Sequence, residues 1–342
     1  MISLKEFDTR INTWNFVSCE KTIEDKRIEI FDTYKKLKIN KECSCYHNNN
    51  ITKIKVKSRI GSDSRYGEVY KLSIKDGKKN IKVAAKVIPL LYSTSEIEHI
   101  NEIYIANELS SLVYEGKTIY FPLLYDAVNC DSVEYNFPKN NTEMDYLYKR
   151  AHLQSAIMSN KDKLEFTRKN IKLSTKKFCK KLKPLIQNLE QIRIPATVMI
   201  MELMWGDFYQ YLKKYKINDS FVEKFIYDLL VAIYTLQKYN IVHDDLHIKN
   251  ILVMITKTGE TIPIIHDFGD SRKVSPPLNL SDKRRDIDRI LYNIEELYDN
   301  FKKKLPKSSQ IPQHLYYMNH IICRSQNPVG DAIFYWKKYV IN

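Results

Sequence analysis

One stretch limits the possible folds of this chain more than any other: IVHDDLHIKNILV, Ile241 to Val253. Two apolar runs flank His243, Asp244, Asp245, His247, Lys249 and Asn250. A further apolar run, IPIIHDFGD, follows the turn sequence TKTGET. Short apolar runs bounded by turn residues predict two strands joined as a hairpin. The polar residues then lie at its outer ends, where Asp245 and Asn250 can meet Asp267. Two aspartates and an asparagine at one edge make a hard-oxygen set suited to Mg²⁺, which keeps several waters and takes one or two carboxylates plus phosphates. A carboxylate left off the metal can accept a proton from a hydroxyl. Single aspartates also cap turns, and it is the joint spacing that sets this group apart.

The rest of the chain supplies elements of both kinds. Alternation in ITKIKVKSRI, GEVYKLSI and IKVAAKVI predicts an antiparallel meander of three strands with a turn at Asp76-Gly77. STSEIEHINEIYIANELSSLVYEG predicts a helix capped at Ser95 and ended by Gly116. ATVMIMELM reads as a buried strand. DFYQYLKKY and DSFVEKFIYDLLVAIYTLQKYN read as helices, the second capped by Asp219 or Ser220 and ended at Asn240. Residues 1 to about 46 are helical in patches before HNNN breaks them.

Composition narrows the class of protein. With 342 residues, 44% of them hydrophobic, the chain can build two substantial cores. No apolar run approaches the roughly 20 residues of a membrane span. The N-terminus, MISLKEFDTRINTW, is charged where a signal peptide is apolar. A soluble intracellular protein, of cytoplasm or nucleus, is therefore expected, with its six scattered cysteines reduced. Cys43, Cys45 and His47 lie close together but lack the second ligand pair of a zinc site. A net charge of +14 favours acidic partners, although an AT-rich genome would also enrich lysine. The excess is densest at 161–183, with ten Lys or Arg against Asp162 and Glu165. That stretch reads as the basic face of a helical hairpin inserted at about 129–195: either a solvated surface or a site for an acidic partner or nucleic acid.

His243-x-Asp245-Leu246-x-x-x-Asn250, followed across a hairpin by Asp267-Phe268-Gly269, resembles the catalytic loop and D-F-G motif of the protein kinase superfamily. VAAKV supplies the strand lysine that the family requires, Lys86, and RIGSDSRYGEVY supplies a glycine-containing loop with Gly61, Gly67 and Val69. NEIYIANELSSL looks like the corresponding helix of haspin kinases, which favours Glu102 over Glu108 as partner of the lysine. RRDIDRI resembles the haspin-like helix whose aspartate, here Asp286, braces the catalytic loop. The likeness covers about 54 to 300, apart from the insertion, and similar lean kinases occur in large DNA viruses, where the host cell would be the site of action.

The resemblance implies an α+β, bilobal protein-kinase-like fold. An extension at 1–52 precedes a β-rich N-lobe at 53–204, which carries the insertion, and a compact, mostly helical C-lobe at 205–342. It implies ATP between the lobes and Mg²⁺ on Asn250 and Asp267. Lys86, held by Glu102, meets the phosphates under the Gly61–Gly67 loop, beside Val69. Glu202 and Met204 offer backbone groups to adenine, Asp207 reaches the ribose, and Asp245 takes the proton of the acceptor hydroxyl. The expected function is a Ser/Thr protein kinase, haspin-like, acting on protein hydroxyls. The alternatives are a small-molecule kinase of the aminoglycoside or choline type and a pseudokinase scaffold. The chain departs from the pattern in four places. Its glycine loop is one residue longer and lacks the middle glycine, and no A-P-E motif follows. His247 stands where Ser/Thr kinases carry lysine, and Asp244 where many carry arginine.

Overall fold

The structure, a computed structural model, describes residues 17–36, 54–60, 68–76, 79–89, 93–135, 192–301 and 309–341. It is a mixed α and β protein that divides into two units. One comprises Met1–Leu37, Ile100–Tyr125 and Met201–Asn342, and the other comprises Lys38–His99 and Asp126–Ile200.

The second unit is built on the alternating sequences. Strands β1 (Ile54–Ile60), β2 (Glu68–Asp76), β3 (Lys79–Pro89), β4 (Leu124–Tyr135) and β5 (Ile192–Glu202) form one sheet in the order β1-β2-β3-β5-β4. The first three are the expected antiparallel meander. Asp76 pairs with Lys79, so the β2–β3 connection is two residues long at the Asp76-Gly77 signal. A register shift between Val56 and Ser58 marks a bulge in β1. β3 lies at the centre of the sheet, and Val83 to Ile88 are all buried, as a continuous apolar run in a central strand requires. Lys86 is the one charged residue in that run. β4 extends to Tyr135 and β5 starts at Ile192, so both ends of the expected insertion are strand. Cys130 on β4 is disulfide-bonded, which corrects the expectation of a reduced thiol there, whereas Cys323 is free as expected. The basic stretch 161–183, the glycine loop with Gly61 and Gly67, and the Cys43–His47 group lie outside the described residues.

The first unit gathers helices around two small sheets. Helix α1 is Val17–Lys36. Helix α2 (Ser93–Tyr114) starts two residues before Ser95. It ends where the Gly116 amide bonds to Val113 and the Lys117 amide to Leu112, with Gly116 at φ 70°. This paired closure needs a left-handed residue, which glycine adopts without strain. Helix α3 is Phe208–Lys214 and α4 is Asp219–Lys238. The cap of α4 is Asn218, whose Oδ1 accepts the Phe221 amide at 2.9 Å, rather than Asp219 or Ser220. Asn240, at φ 57°, turns the chain after α4 as expected. Phe208 stacks on Phe225 at 4.0 Å between ring centroids and so ties α3 to α4.

Strands β6 (Gly206–Asp207), β8 (Ile251–Ile255) and β9 (Thr261–Ile265) form one small sheet. Strands β7 (Ile241–Val242) and β10 (Arg272–Lys273) form another. β8 and β9 are the expected hairpin, in register from Ile251↔Ile265 to Ile255↔Thr261. Pro263 is accommodated because β9 is an edge strand. Helices α5 (Leu280–Phe301), α6 (Ile311–Arg324) and α7 (Pro328–Trp336) complete the unit. Trp336 is fully buried, and its indole donates to the Glu223 carbonyl at 2.8 Å, fixing α7 on α4.

Two segments from the N-terminal part of the chain group with the C-terminal residues. Residues 100–125, assigned to an N-terminal lobe from the sequence, group with 201–342. Asn101 Nδ2 donates to the Ser271 carbonyl at 2.5 Å, and Glu108 pairs with Lys273 at 2.6 Å. Helix α1, read as part of an extension, groups there too. Its buried Arg27 donates to both oxygens of Glu202, at 2.8–3.1 Å, and to the carbonyls of Ile119 and Phe121. A buried guanidinium is tolerable only when satisfied in this way. Among the described residues, no helix is long and apolar enough to cross a membrane.

Candidate functional site

The polar residues of the opening stretch come together at the open end of the β8–β9 hairpin. Asn250 precedes β8 and His266 follows β9, and the His266 amide donates to the Asn250 carbonyl at 3.1 Å. Asp267 is the next residue, so the pairing of Ile251 with Ile265 sets Asn250 and Asp267 at the same edge. Asn250 Nδ2 donates to the Asp245 carbonyl at 3.0 Å and lies 3.5 Å from its Oδ2. That commits the amide nitrogen to the loop and turns Oδ1 into the group that can meet a cation. A β-carbon on Gly269 would lie 3.7 Å from Glu102 Oε2 and 3.9 Å from Asp267 Oδ1. Both carboxylates therefore lie beside this glycine. Glu102 is buried, whereas Glu108 spends its charge on the exposed Lys273.

A buried framework holds this edge. Asp286 on α5, 1% exposed, accepts the amides of His243 at 2.8 Å and Asp244 at 3.0 Å. Burial pushes its pKa above the usual carboxylate value, while His243 and the two amides pull it the other way. His243 is fully buried. Its Nε2 donates to the His266 carbonyl at 3.0 Å, and its ring lies 5.4 Å from that of Phe268. The Ser271 hydroxyl donates to the His243 carbonyl. This histidine thus joins the two loops and is placed for packing, not for proton transfer.

Asp244 and Asp267 have φ of 63° and 66°. Left-handed backbone at a non-glycine residue costs on the order of 1–3 kcal/mol and persists only where neighbours enforce it. Around Asp244 those neighbours are cations. Arg272 Nε lies 2.5 Å from Oδ2, Arg285 pairs with Oδ1, and Arg272 also pairs with Asp282. Asp245 is turned the other way and is 41% exposed at its side chain. Its Oδ1 accepts from Arg289 at 2.9 Å, and its Oδ2 lies 3.6 Å from His247 Nε2.

The remaining expected residues lie on other elements. Lys86 is buried on β3 opposite the half-buried Val69. The Glu202 amide already donates to the Leu123 carbonyl, and its side chain is held by Arg27. Met204 is half-buried. Asp207 caps α3 by accepting the Gln210 amide at 2.7 Å, and burial raises its pKa against the pull of that amide, Lys249 and Lys213. Sequence reasoning missed Arg27, Arg272, Arg285 and Arg289. The last two had a signal: they lie four apart in RRDIDRI, on the face that carries Asp286.

One asparagine oxygen and one carboxylate fit Mg²⁺ that brings its own waters and phosphates. They would not build a cage of protein ligands. Among the described residues, no group of three or more His, Cys, Asp or Glu is placed to hold a metal ion. A separate open cleft of about 740 Å³, lined in part by His314, Tyr317, Arg324 and Tyr335, contains none of the residues singled out from the sequence. Compared with known protein families and with curated proteins, the chain finds no match.

Proposed function

We propose that the protein is an ATP-dependent phosphotransferase of protein-kinase-like, bilobal fold, acting on Ser or Thr hydroxyls of proteins. One observation carries this reading: Asp245, Asn250 and Asp267 gather at one hairpin edge, on a loop whose amides are fixed by the buried Asp286. Phosphoryl transfer asks little covalent chemistry of a protein and much positioning and charge compensation. Mg²⁺ bound through Asn250 and Asp267 would neutralise phosphate charge. Asp245 is the exposed carboxylate of the group and the one suited to orient an acceptor hydroxyl and take its proton. Lys86 is assigned to the ATP phosphates and Glu102 to the lysine, on the strength of the resemblance. Gly61, Gly67 and Val69 are assigned to the covering loop, and Glu202, Met204 and Asp207 to the nucleoside, on the same ground. A haspin-like ancestry, a viral source and an acidic partner for 161–183 belong to the same proposal.

The test is transfer of labelled phosphate from Mg²⁺-ATP to a panel of dephosphorylated proteins, with aminoglycosides and choline as small-molecule acceptors. Lys86→Met and Asp267→Asn should each lower transfer by about 1000-fold or more while leaving the melting temperature within a few degrees. Asparagine tolerates the left-handed backbone at 267, so the second variant removes charge without imposing strain. Transfer only to the small molecules would move the acceptor class. Wild-type turnover in either variant would remove the site.

A further inference from the structure

The residue two after Asp245 is His247, not the lysine of the resembled family. Its Nδ1 accepts the Lys249 amide at 3.2 Å, so the proton of the ring sits on Nε2, toward Asp245 Oδ2 at 3.6 Å. With Nδ1 committed to that amide, the ring presents one donor, Nε2, where a lysine would present an ammonium group. A permanent cation stands on the other side of the same carboxylate. Arg289 Nη1 lies 2.9 Å from Asp245 Oδ1 and also donates to the Asp244 carbonyl. Arg289 leaves α5 three residues after Asp286, so the helix that fixes the loop amides also aims this guanidinium at its reactive carboxylate. The side chains of Arg289 and Asp245 are 44% and 41% exposed. An ion pair this exposed adds little stability, and its position at the acceptor side of the loop calls for another explanation.

We propose that Arg289 performs the task that a lysine at position 247 would perform: it holds Asp245 toward the acceptor and meets the charge on the transferring phosphoryl group. The inference rests on the phosphotransferase reading. In the step, the acceptor oxygen bonds to the γ-phosphorus and its proton passes to Asp245. The bond from the γ-phosphorus to the β–γ bridging oxygen breaks, and its electron pair leaves with ADP. Arg289 keeps its protons throughout, as a guanidinium does.

The experiment compares the wild type, Arg289→Met, Arg289→Lys and the double variant Arg289→Met with His247→Lys. It uses Mg²⁺-ATP and the same dephosphorylated proteins. Arg289→Met should lower kcat by about 100-fold with little change in KM for ATP, and Arg289→Lys should lie between it and the wild type. The double variant should recover most of the lost kcat, because the cation returns from position 247. A structural brace on Asp244 would not be restored by that lysine. Undiminished kcat in Arg289→Met, or loss without recovery in the double variant, overturns the inference while leaving the phosphotransferase reading in place. Should Arg289→Met fail to fold, Arg289→Lys decides alone: its kcat must fall while KM holds, and unchanged kcat overturns the inference. A wild type that transfers no phosphate overturns both.

Discussion

The β2–β3 and β8–β9 hairpins are both antiparallel and apolar, yet they are held together differently. In the first, Leu72, Ile74, Ile81 and Val83 are buried, and the exposed Lys75 and Lys82 mark the solvent side. Its register is continuous from Glu68↔Val87 to Asp76↔Lys79. The second is as regular along its strands, but at its open end apolar order gives way to Asn250, His266 and Asp267, with Asp267 in left-handed backbone. Each aliphatic side chain buried in the first hairpin contributes about 1.5–3 kcal/mol. The left-handed aspartates beside the second cost stability, and one of them, Asp244, is held by Asp286, Arg272 and Arg285. A strained residue braced in this way is what the proposed phosphotransferase site would require.

The largest expected effect is at Asp286. Asp286→Ala strips the acceptor from two loop amides. It should cost about 3 kcal/mol in denaturant titrations and, by letting Asp245 drift, lower kcat by about 100-fold. Ile74→Ala, at a site 1% exposed in the first hairpin, should cost a similar 2–4 kcal/mol and leave kcat per folded molecule unchanged. Equal effects of the two substitutions on kcat would erase the distinction between the hairpins.

A smaller effect is expected at Arg272. On the kinase reading proposed above, the signs are exchanged: many kinases order the segment after D-F-G with a phosphate on an arginine, whereas here Arg272 of that segment pairs with Asp244 of the loop. Phosphatase treatment should therefore leave initial rates unchanged. Arg272→Gln should lower them while costing no more than about 1 kcal/mol of stability, because the side chain is 40% exposed. Restoration of activity by a phosphate on Ser271 or Ser275 would refute this.

The smallest effect is in the pH dependence of folding. Burial raises the pKa of Asp228 and Asp286 above the unfolded value. Between that value, about 3.9, and the raised one, the folded chain holds more protons than the unfolded chain. Unfolding free energy should then fall as pH rises through this window, and Asp228→Asn should flatten part of the slope. A slope of the opposite sign in the wild type that Asp228→Asn leaves untouched would contradict the burial argument.

Much of this was legible in the sequence because it was local. Period-two alternation marked the meander, apolar runs around TKTGET marked the β8–β9 hairpin, and the spacing of Asp245, Asn250 and Asp267 brought them to one edge. Asp286 was readable through the RRDIDRI run. The long-range contacts were not. Arg27 meets Glu202 across 175 positions, and nothing in the period of α1 singles out that arginine. The grouping of 100–125 with 201–342 depends on pairs such as Asn101–Ser271 and Glu108–Lys273, which no spacing rule predicts. The cap of α4 fell one residue earlier than expected because Asn218, Asp219 and Ser220 are all competent caps, and the backbone at 218 is the one that is extended.

The central claim is that the edge formed by Asp245, Asn250 and Asp267 transfers phosphate. Asp245→Asn tests it most directly, since it keeps the shape of a half-exposed side chain and removes only its charge and basicity. The measurement is the initial rate of labelled phosphate transfer from ATP to protein, with Mg²⁺ and with excess chelator. The wild type should transfer phosphate with Mg²⁺ and lose the activity with chelator. Asp245→Asn should transfer about 1000-fold more slowly with Mg²⁺ while remaining as stable as the wild type. Equal rates in the two proteins, or none in the wild type, would contradict the claim.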